Sequence, residues 1–169
     1  MYLHHKEVSL CLAAAVICFN IATINADYSA EVAYVIKSTS GDLYVDATNT
    51  TTIQIQNFDG TPSQLWRIDC GHTPGLFRLF NYQYTAFLSI PQFNSTKPPP
   101  LVLDDGTYEF WQEWFLNGNG RITNAAILYN LHIIHSEFEP GSLVGLYPDN
   151  GYLNQEWEIV QITRDKSFK

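Results

Sequence analysis

Three copies of the pattern Gln-x-Trp divide this chain of 169 residues into units of similar length. The copies are Gln64-Leu65-Trp66, Gln112-Glu113-Trp114 and Gln155-Glu156-Trp157, spaced by 48 and then 43 residues. Each copy follows a dipeptide that adopts positive φ at low cost, namely Asp59-Gly60, Asp105-Gly106 and Asn150-Gly151. An internal repeat of this period predicts an array of units or a closed structure with pseudo-threefold symmetry.

Short stretches of alternating apolar residues precede each turn, and this period of two indicates half-buried β-strands. A fourth strand in each unit is predicted to start at the Gln-x-Trp pattern. The stretches are Tyr34/Ile36, Leu43/Val45, Ile53/Ile55, Phe77/Leu79, Leu88/Ile90, Leu101/Leu103, Ile122 near Asn124, Leu131/Ile133 and Val144/Leu146. Three units are too few for a propeller, so we predict an all-β chain of twelve short strands with the β-trefoil fold.

The Gln-x-Trp pattern has a mechanical explanation. A Trp from each unit can fill a shared core, burying about 150–250 Å² apiece. The Gln stands two residues earlier, so on a strand its side chain points to the same face, where its amide can bond turn backbone.

The repeats resemble the ricin-B-type lectin family, whose fold is the β-trefoil. The triple Gln-x-Trp pattern carries the resemblance, which extends over about residues 34–162. The segments most similar to the fungal branch are Ser40-Gly41-Asp42-Leu43-Tyr44-Val45-Asp46, Leu143-Val144-Gly145-Leu146-Tyr147 and Asn154-Gln155-Glu156-Trp157. The resemblance implies a carbohydrate-binding protein with glycans or glycoproteins as partners. It also includes mycocypin-type protease inhibitors, which makes a protease the alternative partner.

A sugar site in that family takes three parts from one unit: an Asp after the second strand, an aromatic residue after the third, and an Asn or Gln before the last Trp. The third unit has Tyr147 at the aromatic position and Asn154-Gln155 at the amide positions. Ile134 stands at the Asp position, and His135 and Glu137 are near enough to replace the carboxylate. The resemblance therefore implies a site in which Tyr147 stacks on a pyranose ring and the polar groups bond its hydroxyls.

The first unit keeps part of the same pattern. It has Asp46 and Gln64, with Gln56 at the aromatic position, which implies a second, poorer site. The second unit has Pro91 at the Asp position and Asp104 at the aromatic position, so no site is predicted there.

Each candidate also has a purely structural interpretation. Tyr147 could be a strand-end aromatic that covers the cap, and Asn154 could bond its own turn. Asp46 could form an Asx turn. The amides of Gln64 and Gln155 could bond only to backbone groups.

The first 26 residues have the order of a secretory signal peptide. A weakly basic start with His4, His5 and Lys6 leads into an apolar run over residues 8–21, and Ala26 precedes Asp27. The run is shorter than the roughly 20 residues that a membrane span needs. We predict a secreted protein whose single domain covers residues 27–169.

Composition limits the possible partners and chemistry. The chain has a formal net charge of −8, which disfavours binding to nucleic acid or to an anionic membrane surface. The sequence contains no second long apolar run, so no membrane span is predicted. Cys11 and Cys18 are lost with the signal peptide, so Cys70 is expected to be buried and inert or to pair with another chain.

No arrangement of residues indicates catalysis, a metal or another cofactor. His132 and His135 are expected to face opposite sides of a strand, which disfavours a shared metal site. The serines form no recognisable triad or nucleophile elbow, so we predict a protein that is not an enzyme.

Two sequons are expected to carry glycans in a secreted chain: Asn49-Thr50-Thr51 and Asn94-Ser95-Thr96. The second opens a loop over residues 94–100 that ends in three prolines. Such a stiff, exposed loop is also the kind of segment that an inhibitor presents to a protease, which keeps the alternative partner open.

Overall fold

We describe residues 31–91, 99–106 and 110–164 in a computed structural model of the chain. The predicted signal peptide and the sequon at Asn94 lie outside these residues. Within the described residues, no helix is long and apolar enough to cross a membrane.

The described residues form twelve strands and four single 3₁₀ turns, as the alternating pattern predicts. The strands are β1 (Glu31–Ser38), β2 (Leu43–Asn49), β3 (Thr52–Asn57), β4 (Trp66–Cys70), β5 (Phe77–Asn81), β6 (Ala86–Ser89), β7 (Val102–Asp104), β8 (Trp114–Leu116), β9 (Ile122–Asn124), β10 (Asn130–Ile133), β11 (Val144–Tyr147) and β12 (Trp157–Arg164). The 3₁₀ turns are Pro62–Gln64, Phe110–Gln112, Ile134–Ser136 and Leu153–Gln155.

Six strands form a barrel, and the other six form three hairpins that cap it. Antiparallel pairing runs through β12, β1, β4, β5, β8 and β9 in that order. The ring closes between β12 and the start of β9, where the amide of Trp157 donates to the carbonyl of Gly120 at 2.9 Å. The hairpins are β2–β3, β6–β7 and β10–β11. This arrangement is the β-trefoil, which confirms the predicted fold.

The tryptophans of the three repeats occupy the centre of the core. Trp66, Trp114 and Trp157 are at most 1% exposed. Each indole N–H donates to a backbone carbonyl in the second strand of its own unit, with distances of 3.4 Å to Val45, 3.1 Å to Leu88 and 2.9 Å to Leu131. Each ring therefore joins the barrel to one hairpin of the cap.

The repeated glutamines fasten the turns, as the mechanical explanation predicts. Gln64 is fully buried, and its Nε2 donates to the carbonyl of Asn57 at 2.8 Å. Its Oε1 accepts the backbone N–H of Asp59 at 3.0 Å. One buried side chain thus pairs two backbone groups of the turn, the carbonyl of Asn57 and the N–H of Asp59.

Cys70 is exposed and unpaired in the described part of the chain. The expectation that this thiol is buried is wrong. The alternation along β4 would bury Cys70. The strand ends at this residue, however, and the chain turns away at Gly71.

We predict that Gln64→Leu lowers the free energy of unfolding by about 1–3 kcal/mol, because the two hydrogen bonds that fasten the turn are lost. Denaturant unfolding measures the loss. Gln56→Leu is the matched control, since Gln56 is only half-buried on β3, and we expect it to change stability by less than about 1 kcal/mol. Equal losses in the two variants would contradict the role assigned to Gln64.

Candidate functional site

An open concavity of about 900 Å³ lies where the three units meet at the cap. The first unit contributes residues 51–53 from the β2–β3 turn, and the second contributes residues 99–101 ahead of β7. The third unit contributes residues of the β10–β11 hairpin together with Asn150, Tyr152 and Asn154. The structure brings three of the predicted site residues, Tyr147, Asn154 and His135, to this one surface.

Tyr147 presents its ring to solvent. It is the last residue of β11 and is 47% exposed, so it does not point into the core. Its ring centroid lies 5.4 Å from that of His132, with the two rings inclined by 42°. The pair forms a rigid aromatic surface with a polar edge, which suits one face of a sugar ring.

Two aromatic residues at the site were not predicted as ligand contacts. His132 lies on β10, and Tyr152 follows the Asn150-Gly151 turn with 68% of its surface exposed. The Oδ1 of Asn150 accepts the backbone N–H of Tyr152 at 2.9 Å, which orients this turn toward the concavity. The sequence shows an aromatic residue directly after the turn dipeptide, but the direction in which the turn presents that residue is a tertiary property.

His132 and His135 line the same concavity, so the prediction that they face opposite sides is wrong. The alternation ends with β10 at Ile133, and His135 and Ser136 both take left-handed backbone conformations with φ of 58°. Such a conformation costs a non-glycine residue about 1–2 kcal/mol. Two in succession at the rim of a concavity suggest a functional reason for the strain.

Asn154 reaches the site but is only 5% exposed. Its Nδ2 donates to the carbonyl of Ile133 at 3.1 Å, and its Oδ1 accepts from Nδ2 of Asn150 at 3.4 Å. The amide therefore holds the end of β10 against the turn that carries Tyr152, and it forms part of the concave surface.

Gln155 is fully buried and acts from behind the site. Its Nε2 donates to the carbonyls of Pro148 at 2.9 Å and Tyr147 at 3.3 Å. Its Oε1 accepts the backbone N–H of Asn150 at 3.0 Å. These bonds use the amide within the protein, so the structure assigns Gln155 to positioning Tyr147 rather than to touching a ligand.

A buried cation supports the same turn from the barrel side. The side chain of Arg121 is only 5% exposed, and its Nε lies 3.1 Å from Oδ1 of Asp149. That carboxylate oxygen also accepts the backbone N–H of Gly151 at 3.0 Å. The turn that follows Tyr147 is thus held by Gln155 on one side and by Arg121 on the other.

The predicted residues of the first unit lie outside this concavity. Asp46 lies inside β2 rather than after its end, directly opposite Gln54 on β3. Its Oδ1 is buried without a hydrogen-bond partner among the described residues. Near it, the rings of Tyr44 and Phe58 lie 5.1 Å apart. Gln64 is buried against its turn, so Asp46 alone of the two predicted residues is placed to meet a ligand.

Asn49 is exposed at the end of β2. Its Oδ1 accepts hydrogen bonds from the backbone N–H of Thr51 at 2.8 Å and from the Thr51 hydroxyl at 2.9 Å. The first sequon thus lies in a surface turn, while glycosylation of Asn49 and Asn94 stays a prediction.

The pKa of His132 is lowered, mainly because the ring is buried, while a backbone bond to Gly145 acts in the opposite direction. The positive charge of a protonated His135 lowers it further. The unfolded chain therefore binds a proton at His132 more readily than the folded chain does. As a result, the folded state loses stability when the pH falls below the ordinary histidine pKa of about 6.5.

We predict that the wild-type protein loses more unfolding free energy between about pH 7.5 and about pH 5 than His132→Phe does, because the phenyl ring cannot take up a proton. Denaturant unfolding at each pH measures the difference. His135→Asn is the control, since Asn tolerates the left-handed backbone at this exposed position, and it should keep most of the wild-type dependence. Parallel pH curves for wild type and His132→Phe would contradict the assignment.

Comparison with known proteins identifies the fold. No protein-family model matches the sequence, and no curated protein matches it. Among solved structures, the designed threefold-symmetric protein ThreeFoil superposes with a TM-score of 0.68 at 18% identity, over 76% of this chain and 97% of that chain. The Macrolepiota procera ricin B-like lectin in complex with lactose superposes with a TM-score of 0.62 at 21% identity, over 80% and 98%.

A third similar structure is part of a larger enzyme. The exo-β-1,3-galactanase 1,3Gal43A from Clostridium thermocellum superposes with a TM-score of 0.69 at 17% identity, over 80% of this chain but only 31% of that chain. At these identities the likeness shows architecture alone. The chain has the β-trefoil fold that is found in ricin B-like lectins.

Proposed function

We propose that this protein is a secreted carbohydrate-binding module of the ricin B type, without catalytic activity, and that its principal site is the concavity of the third unit. The observation that carries the proposal is the exposed ring of Tyr147, held beside His132 in a surface where polar and aromatic groups converge. The superposition on a lectin solved with lactose supports it.

The chemistry of the site fits a pyranose. One face of a pyranose carries C–H groups that pack on an aromatic ring, and its edge carries hydroxyls that need donors and acceptors. Tyr147 supplies the ring, and the imidazoles of His132 and His135 with the amide of Asn154 supply polar groups on the same surface. A single stacked ring with a few hydrogen bonds corresponds to a dissociation constant of roughly millimolar to high micromolar.

The first unit offers a weaker second site. Asp46 and Gln54 lie opposite each other, with the Tyr44–Phe58 ring pair on the same hairpin. The unpartnered Oδ1 of Asp46 supports this assignment, since a buried carboxylate oxygen without a donor is costly. We propose this hairpin as a minor sugar-binding surface.

The protease-inhibitor alternative stays a prediction. It depends on the loop over residues 94–100, of which only residues 99 and 100 are described. Those two prolines line the concavity of the third unit.

We predict that lactose binds the wild-type protein and that Tyr147→Ala weakens this binding at least tenfold, because the stacking surface is removed. Isothermal titration calorimetry measures both constants. Lactose is the first probe because a lectin of the same fold was solved with it. A glycan array extends the search to other sugars.

The matched control is Phe58→Ala, which removes an aromatic ring of similar exposure, 48%, from the first unit. We expect it to leave the principal binding constant unchanged. Binding that is insensitive to Tyr147→Ala but lost in Phe58→Ala would move the principal site to the first unit. An array without any bound glycan would end the carbohydrate proposal.

We predict that expression of the full chain in a eukaryotic host yields protein in the medium that starts at Asp27, because residues 1–26 are removed on export. N-terminal sequencing and mass spectrometry test this. Asn49→Gln should remove one glycan from the secreted protein without altering the start site. Protein that is retained in cells with residues 1–26 attached would contradict secretion.

A further inference from the structure

Much of the wall of the third-unit concavity is apolar. Ile134 and Leu143 line it from the third unit, and Pro100 and Leu101 line it from the second. Leu143 is 48% exposed, and Pro100 is exposed as well. This apolar wall is continuous with the surface that carries Tyr147, since Val144 and Leu146 of the same strand also line the concavity.

Ile134 occupies the position at which the sugar-binding pattern has a carboxylate. The side chain of Ile134 packs closely against the backbone of Gly145. If residue 145 had a Cβ atom, that atom would lie 3.0 Å from Cδ1 of Ile134 and 3.5 Å from Cε1 of His132. A sugar hydroxyl directed at Ile134 would give up its bond to water and gain no partner, which is unfavourable. The part of the ligand that faces this wall is therefore apolar.

The size of the concavity also favours a ligand that is larger than a single sugar ring. Its volume of about 900 Å³ is near the upper end of the roughly 300–1,000 Å³ typical of sites for drug-sized molecules. One sugar ring stacked on Tyr147 fills only part of this volume, and among the described residues Ile134, Leu143 and Pro100 line the remainder.

We propose that the ligand of this site is a glycoside with an apolar aglycone. The sugar packs on Tyr147 and His132, and the apolar group lies along Ile134, Leu143 and Pro100. This inference rests on the proposed carbohydrate function and specifies its ligand class. The same chemistry occurs in small alkyl or aryl glycosides and in glycolipids.

Calorimetry with methyl β-lactoside and octyl β-lactoside, the latter below its micelle concentration, tests the proposal. Each buried methylene strengthens binding by about fourfold, so burial of part of the octyl chain should make octyl β-lactoside bind at least tenfold more tightly. Octyl β-glucoside, which has the same chain on a different sugar, shows whether the sugar contributes.

Two leucine variants locate the apolar contact. Leu143→Asn should bring the octyl-to-methyl affinity ratio close to one, because the ratio reports only on burial of the octyl chain. Leu153→Asn is the matched control, since Leu153 is 58% exposed and is not among the residues that line the concavity. This control should keep the full ratio. Circular dichroism of both variants verifies that they are folded.

A flotation assay with phosphatidylcholine vesicles containing lactosylceramide distinguishes the two sources of the ligand. Flotation that octyl β-lactoside blocks indicates a glycolipid, and tight binding of octyl β-lactoside without flotation indicates a free glycoside. Either result, together with the Leu143→Asn effect, supports the proposal.

The outcomes that overturn the proposal differ from those that overturn the carbohydrate function. Equal affinities for methyl and octyl β-lactoside would overturn the aglycone and leave sugar binding intact. Octyl glycosides that bind equally well whatever their sugar, with no effect of Tyr147→Ala, would overturn both. Absence of binding by every glycoside in solution and in vesicles would also overturn both.

Discussion

The contact between each core tryptophan and the second strand of its own unit organises the whole structure. The indole rings of Trp66, Trp114 and Trp157 fill the interior, and each N–H is satisfied by a carbonyl of the neighbouring hairpin. Each of these residues also begins the last strand of its unit. In each unit, one tryptophan side chain therefore sets both the packing of the barrel and the position of the cap. A buried indole N–H without its acceptor would lower the stability of the fold.

The candidate site depends on the same contact. Gln155 stands two residues before Trp157 and holds the carbonyls of Tyr147 and Pro148. Anchoring of the third unit in the core thus also fixes the backbone of the residue whose ring faces solvent. The amides of this unit are largely used within the protein, so the surface of the proposed site consists mainly of aromatic rings and the apolar wall beside them.

The twelve strands and the threefold arrangement were predictable because alternation, turn dipeptides and the Gln-x-Trp spacing are local patterns that repeat. The exposed ring of Tyr147 was predictable as well, since it stands at the end of an alternating stretch. The grouping of His132 with His135 was not. It follows from a left-handed backbone at His135 and Ser136, a conformation that non-glycine residues adopt uncommonly and that no local pattern signals here. Cys70 shows the same limit, because its exposure depends on where β4 ends.

The sequence by itself determined the elements, their order and the residues that enter the core, because burial on one face of a strand requires a period of two that the chain displays. It also determined that no unit has every residue of the lectin pattern. Only the tertiary structure decided that the concavity draws its wall from all three units and that the side chain of Ile134 lines it beside Leu143 and Pro100. These are relations between segments far apart in the chain, and they arise only when the core contacts have brought the units together.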